Sequence, residues 1–308
     1  MSPDGEDNVT SLSAGGHRTS ATSGGVTLLS SRTARPVEPG MLSRALEVAG
    51  RLANDATDVI TATAGRGAHP DVTESPFDWV TDTDRILERH TRRVLTSEFP
   101  GVPVVGEESG ADQGADEAEY RWVVDPVDGT ANYVAGLPWC AYSLALLDDS
   151  GPVVGVLADP YRAQIYAAAR GRGARANGHP LRLAGHGAPA GAIVCTELIP
   201  TGPWPGMGGF IERAAAARAG VRVLGSAALS IAQVALGHAG AAVLLSYREW
   251  DVAAAVALAL EAGAVVLDRR GEASPLPADG LLVATPAMAE RVLDWWQDTL
   301  PEGRRGQT

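Results

Sequence analysis

From Met41 to about Ala64 the apolar residues Leu42, Ala45, Leu46, Ala49, Leu52, Ala53 and Val59 recur at three- and four-residue steps, the spacing of a helix that buries one face. Pro39 stands upstream and Gly65 supplies a stop, so an amphipathic helix is expected there. A loop follows over His69 to Phe77. The same period returns from Thr83 to Phe99, with Ile86, Leu87, His90, Val94 and Leu95 inward and Pro100-Gly101 as terminator. The pattern then shortens to apolar runs at Val102 to Val105, Trp122 to Val124, Trp139 to Leu147, Val153 to Asp159 and Gln164 to Ala169. Turn residues at Asp148-Asp149-Ser150-Gly151 and Asp159-Pro160-Tyr161-Arg162 make the last three an antiparallel meander.

Beyond residue 185 the rhythm alternates. Strands are expected at Ala192 to Glu197, Val221 to Leu224, Ala241 to Ser246, Val265 to Leu267 and Leu281 to Thr285. Between and after them helices are expected at Gly208 to Ala219, Ala227 to Gly237, Asp251 to Gly263 and Pro286 to Leu300. Alternation of this kind predicts an α/β layer with helices on both faces of a sheet. The chain therefore divides into an α+β half over 39–185 and an α/β half over 186–302. Residues 1–38, rich in Ser, Thr, Gly and Asp, read as a disordered leader that cannot bury enough apolar surface to fold; 303–308 are a tail.

With 308 residues, 45% of them hydrophobic, the chain can bury a large core. Its formal charge of -12 opposes a nucleic-acid backbone, so no nucleic-acid partner is expected. A small phosphate ester remains possible where metal ions reverse the local field. No apolar run is long enough for a bilayer and no basic-then-apolar signal opens the chain, which predicts no membrane partner and a cytoplasmic location. Cys140 and Cys195 are too few and too far apart for a zinc cluster, and free buried thiols are expected.

The chemistry concentrates in Arg121-Trp-Val-Val-Asp125-Pro-Val-Asp128-Gly-Thr130, where an apolar strand ends in two carboxylates, a proline-fixed turn and a hydroxyl. Asp-Pro and Asp-Gly are ordinary turn formers, and alone they mark a surface turn more often than a site. Two carboxylates so close nonetheless repel each other unless a cation lies between them, and oxygen-only ligands suit Mg²⁺. Other acids also stand at element ends: Gly106-Glu107-Glu108-Ser109 closes a strand, Trp250-Asp251 opens a helix, and Asp84 lies in a first helical turn behind Thr81. Each has a plain structural account, Asp251 as a helix cap, Glu107 and Glu108 as a solvated loop, and Asp84 as a partner of the helix dipole.

Taken together these stretches resemble the inositol monophosphatase family of Mg²⁺-dependent, lithium-sensitive phosphatases. The resemblance covers roughly Met41 to Leu300. It rests on Asp78-Trp-Val-Thr81-Asp-Thr-Asp84, Gly106-Glu107-Glu108-Ser109, Trp122-Val-Val-Asp125-Pro-Val-Asp128-Gly-Thr130-Ala-Asn132-Tyr133, Gly225-Ser226-Ala227-Ala228 and Trp250-Asp251-Val-Ala253. Gly171-Arg-Gly173-Ala-Arg-Ala-Asn177-Gly178 also looks like the family's glycine-rich hairpin. The fold implied is a layered αβαβα sandwich of the inositol monophosphatase and fructose-1,6-bisphosphatase type.

By that resemblance, two or three Mg²⁺ ions are expected. Glu107, Asp125 and the carbonyl of Val127 would hold the first; Asp125, Asp128 and Asp251 the second; Glu107, with Asp84 through water, a weaker third. Thr81, Asp84, Glu107 and Thr130 would prepare the water nucleophile, and Gly129, Thr130, Ser226 and Asp251 would contact substrate. The activity implied is hydrolysis of a small phosphorylated polyol, inositol monophosphate or a related sugar phosphate. Related members act on adenosine 3′,5′-bisphosphate, fructose 1,6-bisphosphate or histidinol phosphate. A homodimer is expected, with Trp139, Trp204, Trp295 and Trp296 as candidates for its interface or for the core.

Two departures stand out. Leu244 occupies the position where animal-type inositol phosphatases carry a hydroxyl-binding Glu, and Thr73 replaces a lysine that some members place ahead of the Asp78 segment. Arg248 and Glu249 could replace the lost contact or form a solvated charge pair. A haloacid-dehalogenase-type phosphatase would space its two Asp residues two apart and attack with the first; here they are three apart around Pro126. A non-catalytic phosphosugar-binding or regulatory protein would be favoured by loss of one of the four acids, and all four are present.

Overall fold

The computed structural model describes residues 36–65, 71–72, 79–183 and 187–299. Most of the leader, Thr73, Asp78 and the tail lie outside them. Helix α1 (Pro39–Thr63) starts where expected: Pro39 fixes the first turn and the Glu38 carboxylate accepts from the amides of Gly40 and Met41. After the short strands β1 (Asp71–Val72) and β2 (Trp79–Val80) comes α2 (Asp82–Glu98), capped by Thr81, whose own amide donates to the Asp84 carboxylate.

The chain continues as β3 (Val104–Gly106), β4 (Gly110–Ala111), β5 (Arg121–Asp128), α3 (Thr130–Ala135), β6 (Ala141–Asp148), β7 (Gly151–Asp159), β8 (Gln164–Ala169), β9 (Ala174–Ala176) and β10 (His179–Leu181). Strands β3 to β10 form one eight-stranded sheet, ordered β10-β9-β8-β7-β6-β5-β3-β4. Its pairings are antiparallel except β3 with β5. The glycine-rich stretch is a hairpin, and Asn177 and Gly178 both take positive φ at its turn.

Then follow β11 (Ile193–Thr196), α4 (Met207–Ala216), β12 (Gly220–Val223), α5 (Ala227–Ala235), β13 (Ala241–Leu244), α6 (Glu249–Ala262), β14 (Val265–Leu267), β15 (Leu281–Ala284) and α7 (Ala289–Gln297). The second sheet is ordered β12-β11-β13-β15-β14, parallel in its first three strands and antiparallel in the last two.

Helices α1 and α2 pack on the outer face of the first sheet, α5 and α6 lie between the sheets, and α4 and α7 cover the second. The buried apolar residues accordingly form three cores, one per helix–sheet seam. The expected αβαβα layering is thus the fold adopted. Helix α6 is apolar on every side, from Val252 to Ala259, as a helix sandwiched between sheets must be. Its approach to β7 is so close that a Cβ on Gly155 would lie 2.7 Å from Ala257 Cβ and 2.8 Å from Ala254 Cα.

Several element ends differ from expectation, each for a local reason. Strand β5 continues through Pro126 because the ladder is bulged: Asp125 faces Ser143 and Asp128 faces Ala141, leaving one extra residue on the β5 side. Helix α4 stops early because Arg218 takes φ 62°. Helix α6 begins at Glu249, so Asp251 is its third residue rather than its cap. Glu249 pairs with Arg121 of β5 at 2.6 Å, so it is not part of a solvated pair with Arg248. Trp204, Trp295 and Trp296 are buried in the core under α4 and α7. Cys140 and Cys195 are free and buried. No helix among the described residues is long and apolar enough to cross a membrane.

Candidate active site

The bulge at the end of β5 turns two carboxylates off the sheet. Asp125 is buried, and its Oδ1 accepts from the Val127 amide at 3.0 Å. Gly129 follows at φ 94°, where a side chain would be strained and its Cβ would sit 2.8 Å from the Gly225 carbonyl. Thr130 then opens α3, its Oγ1 lying 3.0 Å from the Val127 carbonyl and 3.4 Å from Asp84 Oδ1. The other Asp84 oxygen accepts from the Thr81 amide at 2.9 Å and from the Thr81 hydroxyl. Thr81, Asp84 and Thr130 therefore form one connected set, in which Thr81 and Asp84 are buried and Thr130 reaches the cavity.

Glu107 leaves the end of β3, and its amide donates to the Val124 carbonyl at 3.3 Å, which ties it to the strand carrying Asp125. The loop is held from below by Glu88. That fully buried carboxylate accepts from the amides of Glu108 at 2.8 Å and Ser109 at 3.1 Å, and from Arg92 Nε at 2.9 Å. A Cβ on Gly106 would collide with the Glu88 carboxyl.

Asp251 arrives from the second half, on the first turn of α6, with Oδ2 accepting from the Arg248 amide at 2.7 Å. Asp128 is turned toward the start of α5: it accepts from the Ser226 hydroxyl and from the amides of Ala227 at 3.2 Å and Ala228 at 2.8 Å. Ser226 also caps α5 through the Leu229 amide at 3.2 Å. Its hydroxyl is committed to Asp128, and the residue is buried. In this arrangement Ser226 orients Asp128.

Glu107, Asp125, Val127, Asp128, Gly129, Thr130 and Asp251 line one cavity of 720 Å³. Among the described residues no three Asp, Glu, His or Cys side chains are drawn tightly enough to enclose an ion as they stand. The donor set is nonetheless the one a hard cation selects: carboxylates and a backbone carbonyl, with neither sulfur nor imidazole. Electrostatics agree. Burial pushes the Asp125 carboxyl well above the usual range, and the neighbouring charges of Glu107, Asp128 and Asp251 push it further. Glu107 is raised well above its usual value by burial first and by Asp251 next. Burial lifts Asp128 to about 6 against the hydrogen bonds from Ser226 and the α5 amides, and lifts Asp84 as well. No Lys or Arg forms an ion pair with Glu107, Asp125 or Asp128 among the described residues. Without an added positive charge the ionised forms of these acids are disfavoured, so the donor set fits a hard divalent cation such as Mg²⁺.

Three further residues shape the site without having been singled out in the sequence. Glu88 shows there only as an i,i+4 partner of Arg92, and its burial becomes visible once β3 docks beside α2. Asn132 lies inside the long motif, and its Nδ2 joins α3 to the Leu224 carbonyl at 2.7 Å and the Trp139 carbonyl at 2.9 Å. Glu197 directly follows β11 and lines the same cavity. It carries the signal that picked out Glu107, an acid at the end of an apolar strand.

A layered αβαβα sandwich with acids gathered where the two sheets meet is a phosphatase architecture. The chain belongs to the inositol monophosphatase family, whose sequence model matches residues 41–298. It is 32% identical to inositol-1-monophosphatase ImpA of Mycolicibacterium smegmatis, over 84% of this chain and 94% of that one. It is 33% identical to Nus factor SuhB of Pasteurella multocida, over 83% and 97%. The solved Thermotoga maritima IMPase superposes with a TM-score of 0.76 at 26% identity, covering 83% of this chain and 97% of that one.

Proposed function

We propose that this protein is a Mg²⁺-dependent phosphomonoesterase that transfers the phosphoryl group of a small ester directly to water. The observation that carries the reading is the convergence of Glu107, Asp125, Asp128 and Asp251 on one cavity, in which Asp125 and Asp128 are buried and Asp125 is repelled by the other three charges. Glu107, Asp125 and the Val127 carbonyl would hold one ion, Asp125, Asp128 and Asp251 a second, and Glu107 with Asp84 a third. Bound there, Mg²⁺ supplies a lowered pKa for the attacking water and stabilisation of the charge that develops on the leaving oxygen.

The chain's own groups do the rest. Thr130 Oγ1 is held between Asp84 and the Val127 carbonyl, to which its proton is directed, and its lone pairs would orient the incoming water. The proton of that water has a path through Thr130 toward Asp84. The amides of Gly129 and Thr130, at the start of α3, would receive phosphate oxygens. Ser226 and the first amides of α5 fix Asp128 from behind. The water oxygen bonds to phosphorus as the P–O bond to the alcohol breaks; the proton given up to Asp84 returns to solvent, and a solvent water at the cavity mouth protonates the departing alkoxide. Asp125 stands three residues before Asp128 across a proline bulge, an arrangement that supports direct attack by water over a phospho-aspartyl route.

The test is phosphate release from a panel of phosphomonoesters with Mg²⁺ and with chelator. Turnover should require the metal and vanish in Asp125→Asn. Metal-independent release, or full activity in that variant, would remove the assignment.

A further inference from the structure

Beyond the acids the cavity changes character. Its remaining walls include Leu198, Ile199, Pro200, Val223, Leu244 and Tyr247, with Ser246 as a hydroxyl and Glu197 as the one carboxylate among them. Leu198 is 51% and Val223 43% exposed, both large apolar side chains held at a cleft mouth, the kind of surface that a ligand covers. The Tyr247 hydroxyl is committed to the Pro277 carbonyl, so Tyr247 offers its ring. A polyol set here would face carbon on most sides, and each unpaired hydroxyl would weaken it.

Glu197 is differently placed. Its Oε2 accepts from the Gly225 amide at 2.8 Å and its Oε1 from Ser230 Oγ at 2.6 Å. These bonds hold the carboxylate rigidly and leave acceptor capacity, since a carboxylate has about four acceptor positions. Among the described residues no Lys, Arg or His pairs with it. Arg248 also lines the cavity, but it is exposed at the rim, where water weakens its pull. A held, half-buried carboxylate beside apolar walls is complementary to a cation borne on an apolar body.

We infer that the alcohol released carries a cationic nitrogen on a compact apolar or aromatic body, the nitrogen pairing with Glu197 and the body resting on Leu198, Val223, Leu244 and the Tyr247 ring. The inference rests on the phosphomonoesterase reading and names the substrate class for that site.

The experiment uses the full chain with Mg²⁺ and four esters: tyramine O-phosphate, its neutral isostere p-propylphenyl phosphate, inositol monophosphate, and p-nitrophenyl phosphate as a general reporter. The expected result is a kcat/KM for the tyramine ester about tenfold above its neutral isostere, an advantage that falls to about one in Glu197→Gln. The ratio is read, not the rate, because a purely structural effect of the variant would slow both esters alike. Calorimetric binding of the two corresponding non-hydrolysable phosphonates should give the same ratio. A ratio near one in the unaltered enzyme, or faster turnover of inositol monophosphate than of both aryl esters, would overturn the substrate class while leaving the phosphatase reading intact. An advantage that survives Glu197→Gln would overturn Glu197 as the nitrogen's partner. No release from any ester, the nitrophenyl reporter included, would overturn the phosphatase reading itself.

Discussion

The carboxylate of Glu88 accepts a hydrogen bond from the Glu108 amide at 2.8 Å, and the same group takes the Ser109 amide and Arg92 Nε. A helix side chain thereby sets the backbone of the loop whose Glu107 enters the cavity. Glu88→Gln keeps the shape but gives up charge and one acceptor. The expected outcome is a Mg²⁺ requirement raised about tenfold, as for partners that orient metal ligands, with a stability loss of about 3 kcal/mol from the weakened buried pair with Arg92. Metal-titrated activity and urea denaturation read the two separately. An unchanged metal requirement would reduce Glu88 to a folding role.

Asp125 is a liability when no cation is bound. Its neighbours Glu107, Asp128 and Asp251 all raise the free energy of its charged form. In chelator at neutral pH, Asp125→Asn should therefore be as stable as the natural chain or more stable by about 1 kcal/mol, while phosphate release is lost. The Asn Oδ1 can still accept from the Val127 amide. A destabilised variant that keeps its activity would contradict both halves of this expectation.

Glu197 links stability to pH. Burial raises its folded pKa to about 7 from a usual 4.5, so the folded state binds the extra proton. The stabilisation is complete below the unfolded value and is lost as pH rises through the folded one. Measured in chelator, the stability of the natural chain relative to Glu197→Gln should fall by roughly 2 kcal/mol between about pH 4.5 and pH 7.5. The slope carries the information, because the variant's fixed cost cancels. A flat difference across that range would show that Glu197 does not titrate there.

Gly155→Ala probes the seam between α6 and the first sheet. The added Cβ meets Ala257 Cβ and the backbone of Ala254, neither of which can swing aside. A loss of about 3 kcal/mol is expected, visible as a lower urea midpoint. A near-neutral result would mean that α6 can shift outward without strain.

Much of this was legible in the chain. The α/β character of the second half followed from a change of hydrophobic period, the layer order came only with the family resemblance, and the acids were visible because each stands at an element end. Element ends were less legible, since they depend on contacts distant in sequence. The β5 ladder survives Pro126 only because Ala141 and Ser143 accommodate a bulge opposite it. The role of Ser226 was half visible: its capping of α5 could be read from the sequence, but its bond to Asp128 joins residues 98 positions apart. Glu88 was hidden for a related reason, because an i,i+4 pair looks the same in sequence whether it faces water or a docked loop. Glu197 needed no structure to be noticed, only the rule already applied to Glu107.

Helix α6 touches both sheets and carries Asp251 on its first turn. Its alanines therefore act as a shim, fixing how far one half of the molecule stands from the other and hence how Asp251 lines up with Asp125. Substitutions along that shim, far from any substrate, should register as misaligned chemistry before they register as unfolding.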